Sequence, residues 1–477
     1  MITINTNTSS LVASRILTNN TQLMNRTLER LSTGYRINRG ADDPAGLIAS
    51  ETLRFEKEAI NASIENAGRA DNVISVAEGA LQEVSTLLVS LEDLVDRSAN
   101  QSGLSAAELQ ANQLQIDAIL QSVDRIATTT TFAGNKLLDG SMAYTTSGVA
   151  SANLANVQVN SSRAAPGATR SVEVAVTASA QKATLTHTTA AGTLAGAVTI
   201  SIGGNKGVDT FSFASGTAVS SVAAAVNLST NLTGVTATVT SSTILTLQSS
   251  KYGSSEFVSV EALSGTFTVT GGTSPTKDTG VDISATVNGV TADTSGLEAS
   301  VRTGSLDLDL IVTSGYGNGT IALNTTTTFS ITGGGATFQI TPDLSLAGQV
   351  AVGLQNTTTT GLGDSVTGFL STLKSGGTNA MSTQNFTTAQ EIVRLAGEQV
   401  ASLRGRLGAI QQNTLAPTIN SLKVAFENVS AAESAIRDAD FAEETSNLTR
   451  AQILVQSSTA SLQLANRAPQ NVLALLG

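Results

Sequence analysis

One histidine, His187, stands alone in a chain of 477 residues that has no cysteine and no tryptophan. A Ser-His-Asp triad would rest entirely on that residue, and a multi-histidine metal site is out of reach. Thr188, Thr189 and Ala190 follow it, so the His-Glu-x-x-His zinc pattern is impossible. In this polar, Thr-rich stretch His187 reads as a surface residue. Without cysteine there are no thiolate metal ligands, thiol nucleophiles or disulfides. Two acidic groups could suggest a metal or acid–base cluster: Asp42-Asp43, and Asp438, Asp440, Glu443 and Glu444. Each precedes a predicted helix, where carboxylates complement the helix dipole, and Asp43 stands directly before Pro44. Gly315, Gly317 and Gly319 lie in a Thr/Ser-rich stretch and read as a turn, not a phosphate cradle. The expectation is no catalytic residue, no cofactor site, no metal site and no enzyme.

The elements that would hold any site have an unusual make-up. Only 3% of residues are aromatic and 13% are charged. Apolar burial must come from Ala, Val, Leu and Ile in long regular elements. A net charge of −11 argues against nucleic acid as a partner. Apolar runs are only a few residues long, so no membrane insertion is expected, and the N-terminus lacks the apolar core of a secretory signal.

Helical periodicity dominates both ends. Ala67, Ala70, Ile74, Ala77, Leu81, Val84, Leu88, Leu91 and Val95 keep a 3-4 spacing over four heptads. Asn100 to Gly103 interrupt it, and Ser105 with Glu108 forms a capping box for the next helix. There Leu109, Ile116, Ile119, Val123 and Ile126 form the stripe. Near the other end Val400, Leu403, Leu407 and Ile410 form one stripe, and Ile419, Leu422, Phe426 and Val429 another, with an irregularity expected at Pro417 between them. The two termini match each other. Leu17, Met24 and Leu31 recur every seven residues, with Leu28 and Tyr35 at i+4 positions. Leu448, Val455 and Leu462 also recur every seven, with small residues Ala451, Ser458 and Ala465 between them. Each stripe is thin, so neither terminal helix should be stable alone.

Between about 142 and 345 the chain is Thr, Ser, Gly, Val and Ala with period-two alternation. Val172, Val174 and Val176 alternate, as do Val198, Ile200 and Ile202, then Leu306, Leu308 and Leu310. Val219 to Leu232 reads as a helix with Thr217 as its cap. The fold class expected is α+β and multidomain: an α-helical coiled-coil or bundle rod from the two ends, carrying an inserted outer β-rich region.

Both ends carry a strong family resemblance. Ile4-Asn5-Thr6-Asn7 opens the chain, and Leu28 to Asn38 (LERLSTGYRIN) leads into Ala41 to Leu47 (ADDPAGL). Phe132 to Gly140 (FAGNKLLDG) follows the helix that begins after Ser105. The far end holds Ser434 to Phe441 (SAIRDADF), Ala451 to Leu454 and Ala468 to Leu476 (APQNVLALL). These segments resemble bacterial flagellin, and residues 193–263 resemble a β-α-β repeat inserted in many flagellins and hook-associated proteins. The resemblance implies a layered filament subunit: 1–41 and 436–477 as inner helical layer, 42–141 and 346–435 as shaft, and 142–345 as outer domain. It implies export unfolded through the flagellar type III apparatus, with a chaperone, and termini that fold on assembly beneath a cap. Partners would be identical copies, the cap and hook-associated proteins, and the location the extracellular filament. Leu17, Met24, Leu28, Leu31, Tyr35, Leu448, Val455, Leu462, Leu473 and Leu476 would pack the inner layer. Ile74, Leu81, Leu88, Leu91, Ile116, Ile119, Leu403, Leu407 and Ile410 would form the shaft core. Glu92 falls where many flagellins carry an arginine read by an animal innate receptor. Alternative readings are a hook–filament junction protein and, in another class, a secreted β-rich adhesin on a helical stalk.

Overall fold

The structure, a computed structural model, describes residues 6–100, 103–164 and 168–476, with side chains described through Arg467 in the last helix. The chain divides into two compact units. One holds the residues up to Gly68, Ile340–Leu344 and everything from Ala416 on; the other holds Arg69–Gln339 and Ser345–Leu415. Helical ends and a β-rich middle make the α+β class expected from composition.

Helix α1 spans Thr8–Thr33 and α2 spans Pro44–Ser98, 55 residues long. Asp43 accepts the Gly46 N–H at 2.9 Å and Asp42 accepts the Asn38 and Arg39 N–H groups at 3.2 and 3.0 Å, so this acidic pair organises a turn and a helix start. Every apolar position from Ala67 to Val95 in the 3-4 stripe is buried. By length and composition α2 is apolar enough to cross a membrane. A third of its apolar segment, 33%, is buried, and the core helix of a globular unit meets the same criterion.

Helix α3, Ala106–Thr129, starts with the expected Ser105–Glu108 capping box. Its buried stripe is Gln113, Ile116, Leu120, Val123 and Ala127, and Leu109, Ile119 and Ile126 lie half-buried beside it. Gln113 belongs to that stripe because its amide is fully used: it donates to the Leu373 carbonyl at 2.9 Å and accepts the Met381 N–H at 2.8 Å. Two aspartates on α3 pin the same segment. Asp124 accepts the Thr359 N–H at 2.8 Å, the Thr359 hydroxyl at 3.0 Å and the Lys374 ammonium at 2.9 Å. Burial alone would raise its pKa, but these donors together hold it below the ordinary carboxylate value. Asp117, also pulled upward by burial, is held low by the Ser375 hydroxyl and N–H, the Gln113 amide and Lys374.

A depressed folded-state pKa contributes stability above the unfolded pKa and loses it as pH falls through the folded value. Asp124→Asn should therefore lower the urea midpoint at neutral pH, by roughly 1 kcal/mol equivalent for a partly exposed site. It should also flatten the acid limb of stability against pH. A variant whose acid limb matches the parent's would show that Asp124 does not carry the effect.

The middle holds two β cores. In the first, a five-stranded antiparallel sheet (Val290–Thr291, Ser284–Val287, Arg170–Ala178, Thr326–Gly334, Tyr144–Ser147) faces a four-stranded one (Asp293–Ser295, Glu298–Arg302, Leu306–Val312, Leu154–Ser162). Val172, Val174, Val176 and Phe329 from one sheet and Leu306, Leu308 and Leu310 from the other share that core. The second core joins two four-stranded sheets and helix α4, Val219–Leu228. A separate short helix, α5 at Thr230–Thr233, follows, so the single helix expected over 219–232 is divided at Ser229. Thr217 does not cap α4; its hydroxyl donates to the Ala214 carbonyl at 2.8 Å. This second module grows out of a strand pair of the first, where Ser284↔Ala178 is followed by the bridge Gln181↔Val281.

Two further sequence expectations fail in this zone. His187 is buried at 7% exposure, stacked on Phe267 with centroids 3.8 Å apart, and its Nδ1 lies 2.7 Å from the Thr268 carbonyl. Strand alternation explains it: Leu185 and His187 share the inward face of Thr184–Thr188. The Gly315–Gly319 turn contains a one-turn helix, α6 at Ser314–Gly317, which buries Tyr316 completely.

Helix α7, Phe386–Ile410, runs antiparallel to α2, joined by Gln390–Asp96 at 2.9 Å, Arg404–Glu78 at 3.9 Å and Gln411–Asp71 at 3.0 Å. The irregularity expected at Pro417 is a π-helical turn, Gln411–Leu415, before α8 at Ala416–Arg437. Proline lacks the N–H that would close the preceding turn, and the wider π pitch takes up that gap. Helix α9 then runs from Phe441 to Leu476.

Candidate assembly interface

The terminal helices α1 and α9 meet as an antiparallel pair. Asn7 caps α1 by accepting the Ser10 N–H at 3.0 Å, and Gly34 ends it with φ +76°, donating to the Arg30 carbonyl. Only glycine takes that left-handed conformation without strain. Asp440 starts α9, accepting the Ala442 and Glu443 N–H groups at 2.8 and 3.2 Å, and Asp438 accepts the Ser434 hydroxyl at 2.6 Å. Asp438 and Asp440, like the first acidic pair, therefore serve helix ends.

Polar bonds cross the pair along its length. The Asn7 amide donates to the Ala465 carbonyl at 2.9 Å and the Ser10 hydroxyl to Asn466 at 2.7 Å. Midway, the Asn20 amide reaches the Ser458 hydroxyl and the Leu454 carbonyl, both at 3.3 Å. Nearer the other end Arg30 pairs with Glu444 at 3.1 Å, and Glu444 is 6% exposed. Beyond the helices the backbone forms a short clasp. Arg36 donates its N–H to the Arg437 carbonyl at 2.7 Å, Ala439 donates to the Gly34 carbonyl at 2.9 Å, and Tyr35 bridges Asp438. The Arg437 guanidinium lies 4.7 Å from the Tyr35 ring centroid and pairs with Glu51 at 3.1 Å.

The seam between the helices is made of small residues. Ala13 and Thr27 are the buried positions of α1, and Ala451 and Ser458 are buried on α9 with Glu444. Leu17, Met24 and Leu31, and Leu448, Val455 and Leu462, are half-buried between them. On α1 the slots between the large residues are filled by Ala13, Asn20 and Thr27. Leu28, 42% exposed, and Tyr35, beyond the helix end, do not fill them. The seven-residue spacing of 13, 20 and 27 was there to find, but alanine, asparagine and threonine carry no apolar signal. Leu473 and Leu476 lie where side chains are outside the described residues. Of the positions expected to form a shaft core, Ile74, Leu81, Leu88, Leu91, Ile116, Leu403 and Leu407 are buried, and Ile119 and Ile410 are half-buried. Glu92 is half-buried on α2.

Large apolar side chains instead face outward. Leu11, Val12, Ile16 and Leu23 on α1 and Ile453 and Leu464 on α9 are each at least 46% exposed. Val12 and Ile16 line an open groove of about 520 Å³ between the helices, with Ser457, Ser458 and Ser461 opposite. An arrangement with small residues inside and large ones outside suits a helix pair that is itself a building block.

Comparison with known proteins decides the family. The N-terminal helical region of bacterial flagellin matches residues 4–143, and its C-terminal helical region matches residues 390–476. The B-type flagellin of Pseudomonas aeruginosa is 30% identical, over 100% of this chain and 99% of that protein. Flagellin C of Vibrio cholerae is 30% identical over the full length of both. Flagellin E of the same species is 45% identical over 139 residues, 29% of this chain and 36% of that protein. The chain belongs to the bacterial flagellin family. As a flagellin it is a structural subunit of the flagellar filament, a component of a surface-exposed polymer. Its helical ends are the family's two matched regions, and the two β cores lie in the stretch between them.

Proposed function

We propose that this flagellin is exported unfolded, reaches the extracellular filament tip, and completes the packing of α1 and α9 only against the same helices of neighbouring copies. The exposed apolar residues on α1 carry the reading. Within one chain that helix buries Ala13 and Thr27 and leaves Leu11, Val12, Ile16 and Leu23 in solvent. Burying such side chains contributes roughly 1.5–3 kcal/mol each, and a lone helix pair forgoes it. Contacts between unlike faces of successive copies give an open helical polymer instead of a closed ring.

On this reading residues 1–41 and 436–477 form the inner layer, 42–141 and 346–435 the shaft, and 142–345 the outer region. The partners are further copies, an export chaperone and apparatus, the cap and the hook-associated proteins. No catalytic role is assigned. The absence of cysteine suits passage through an export channel, because no disulfide can trap the chain. Relatives named flagellin over the whole length favour the filament subunit over the junction protein. Seeding purified protein with short filament fragments should yield long helical filaments in electron micrographs, and protein that stays monomeric would overturn the reading.

Glu92 carries a separate expectation. An acidic side chain where the family's receptor-read arginine stands reverses the charge presented there. Activation of the animal innate receptor in a cell reporter assay should be weak or absent, and Glu92→Arg should raise it. Strong activation by the unaltered protein would refute the assignment.

A further inference from the structure

The apolar seam of the α1/α9 pair is nearly blind to its own register. Counting along the antiparallel pair from the Asn20–Leu454 and Arg30–Glu444 bonds puts Ala13 at about the level of Leu462. By the same count Leu17 lies near Ser458, Met24 near Ala451, and Thr27 near Leu448. Each layer sets a small residue against a large one. Both stripes repeat every seven residues, so a slip of one heptad, about 10 Å along the axis, again sets small against large in most layers. Ala13 would meet Val455, and Leu17 would meet Ala451. Burial of apolar area alone barely separates these registers.

Besides the Ser10–Asn466 bond near the chain ends, three polar features separate them. Asn20 sits at a seam position and bonds Ser458, and a slip brings it to Ala451 or Ala465, neither of which can accept through its side chain. Arg30 pairs with the buried Glu444. Slipping one way puts Arg30 against Ala451; slipping the other way carries it past the start of α9 at Phe441. Either slip leaves Glu444 buried and unpaired, which is unfavourable by desolvation. The clasp at Tyr35 and Arg437 ties the same end through backbone bonds, a cation–π contact and Glu51.

We propose that Asn20, the Arg30–Glu444 pair and the Tyr35–Arg437 clasp specify the register of the terminal helix pair, and that the apolar seam supplies adhesion without register. This rests on the reading that α1 and α9 are paired in the assembled filament. A single polar residue at a coiled-coil seam is a known means of specifying register at some loss of stability. Here the polar pins are densest at the clasp, with further bonds at Asn20 and at the chain ends, so correct pairing starts at the clasp and runs toward the chain ends.

The cysteine-free chain permits a direct test. Ser10→Cys with Asn466→Cys reports the observed register, because those side chains touch. Ser10→Cys with Thr459→Cys reports a slip of seven. Seeded filaments are treated with a short bis-maleimide, and the intramolecular link is read by peptide mass. The parent background should give only the first link. Adding Asn20→Leu, Glu444→Leu and Arg437→Ala keeps the seam apolar and removes the side-chain pins, leaving only the backbone bonds of the clasp; both links should then appear in comparable amounts. Leu17→Ala with Val455→Ala weakens the seam, and should slow growth while leaving only the first link. Glu444→Arg alone should stop growth, and Arg30→Glu with Glu444→Arg should restore it with the first link only.

Pin-free filaments that show only the first link would overturn the proposal. So would a seam variant that shows both, or a charge swap that fails to restore growth. If the pin-free variant does not polymerise, the charge swap decides. Absence of either link in parent filaments would instead overturn the pairing on which the proposal rests.

Discussion

Deleting residues 442–477 is expected to abolish seeded filament growth completely while leaving the thermal transition of the middle region unchanged. The deletion removes Glu444, Ala451, Ser458 and Ala465, the whole α9 side of the seam. Helix α1 then keeps Ala13 and Thr27 without a covering surface, and Arg30 loses its buried carboxylate partner. A 26-residue helix with no buried large side chain cannot offset its ordering entropy, and α1 should be lost as a stable element. Neither β core contains a residue from the deleted segment. The far-ultraviolet helical signal should fall by more than the deleted residues alone account for, because α1 melts with α9. Electron microscopy of seeded samples and calorimetry of the same protein supply the two readouts. Filaments from the truncated chain would mean that neighbouring copies do not need α9, and the pairing argument would fail.

How much of this was legible beforehand follows the size of the side chains. The α2 stripe from Ala67 to Val95 is visible because Ile74, Leu81, Leu88 and Leu91 mark it, and all of them are buried. The α3 stripe is misplaced by one position at its centre and at its end, Leu120 for Ile119 and Ala127 for Ile126, because apolar residues stand at both positions of each pair, and the buried Gln113 carries no apolar signal. The α1 seam is harder still. Its buried positions are the small or polar ones, and hydrophobic periodicity weights the exposed leucines.

In the β region the alternation shows where strands lie but not how they pair. Leu154–Ser162 pairs with Leu306–Val312, and nothing local announces a partner about 150 residues away. His187 misleads for a related reason: its type suggests a surface, while its strand position and the flat face of Phe267 place it inside. Polar groups whose partners come from distant segments are invisible to periodicity. The clasp at Tyr35 and Arg437 is one, joined across about 400 residues.

Tyr316 shows the same principle with a measurable consequence. It is fully buried in the first β core, in a stretch whose glycines suggest only a turn. The Thr313 hydroxyl accepts the Tyr316 N–H at 3.4 Å and starts the one-turn helix α6 that turns the ring inward. Its hydroxyl donates to the Thr325 carbonyl, lies 3.3 Å from the Val174 carbonyl, and accepts the Val176 N–H at 3.3 Å. The ring therefore fills the core, and the hydroxyl satisfies backbone groups where the Arg170–Ala178 strand meets the loop before Thr326. Tyr316→Ala should cost about 3–5 kcal/mol through the cavity it leaves. Tyr316→Phe keeps the ring and should cost about 1–3 kcal/mol, the penalty for backbone groups left buried without a partner. Denaturant unfolding followed by tyrosine-independent circular dichroism separates the two. A Tyr316→Phe variant as stable as the parent would mean that the hydroxyl contributes nothing beyond the ring. Filament growth should survive in Tyr316→Phe, because every residue placed in the assembly seam lies in the other compact unit.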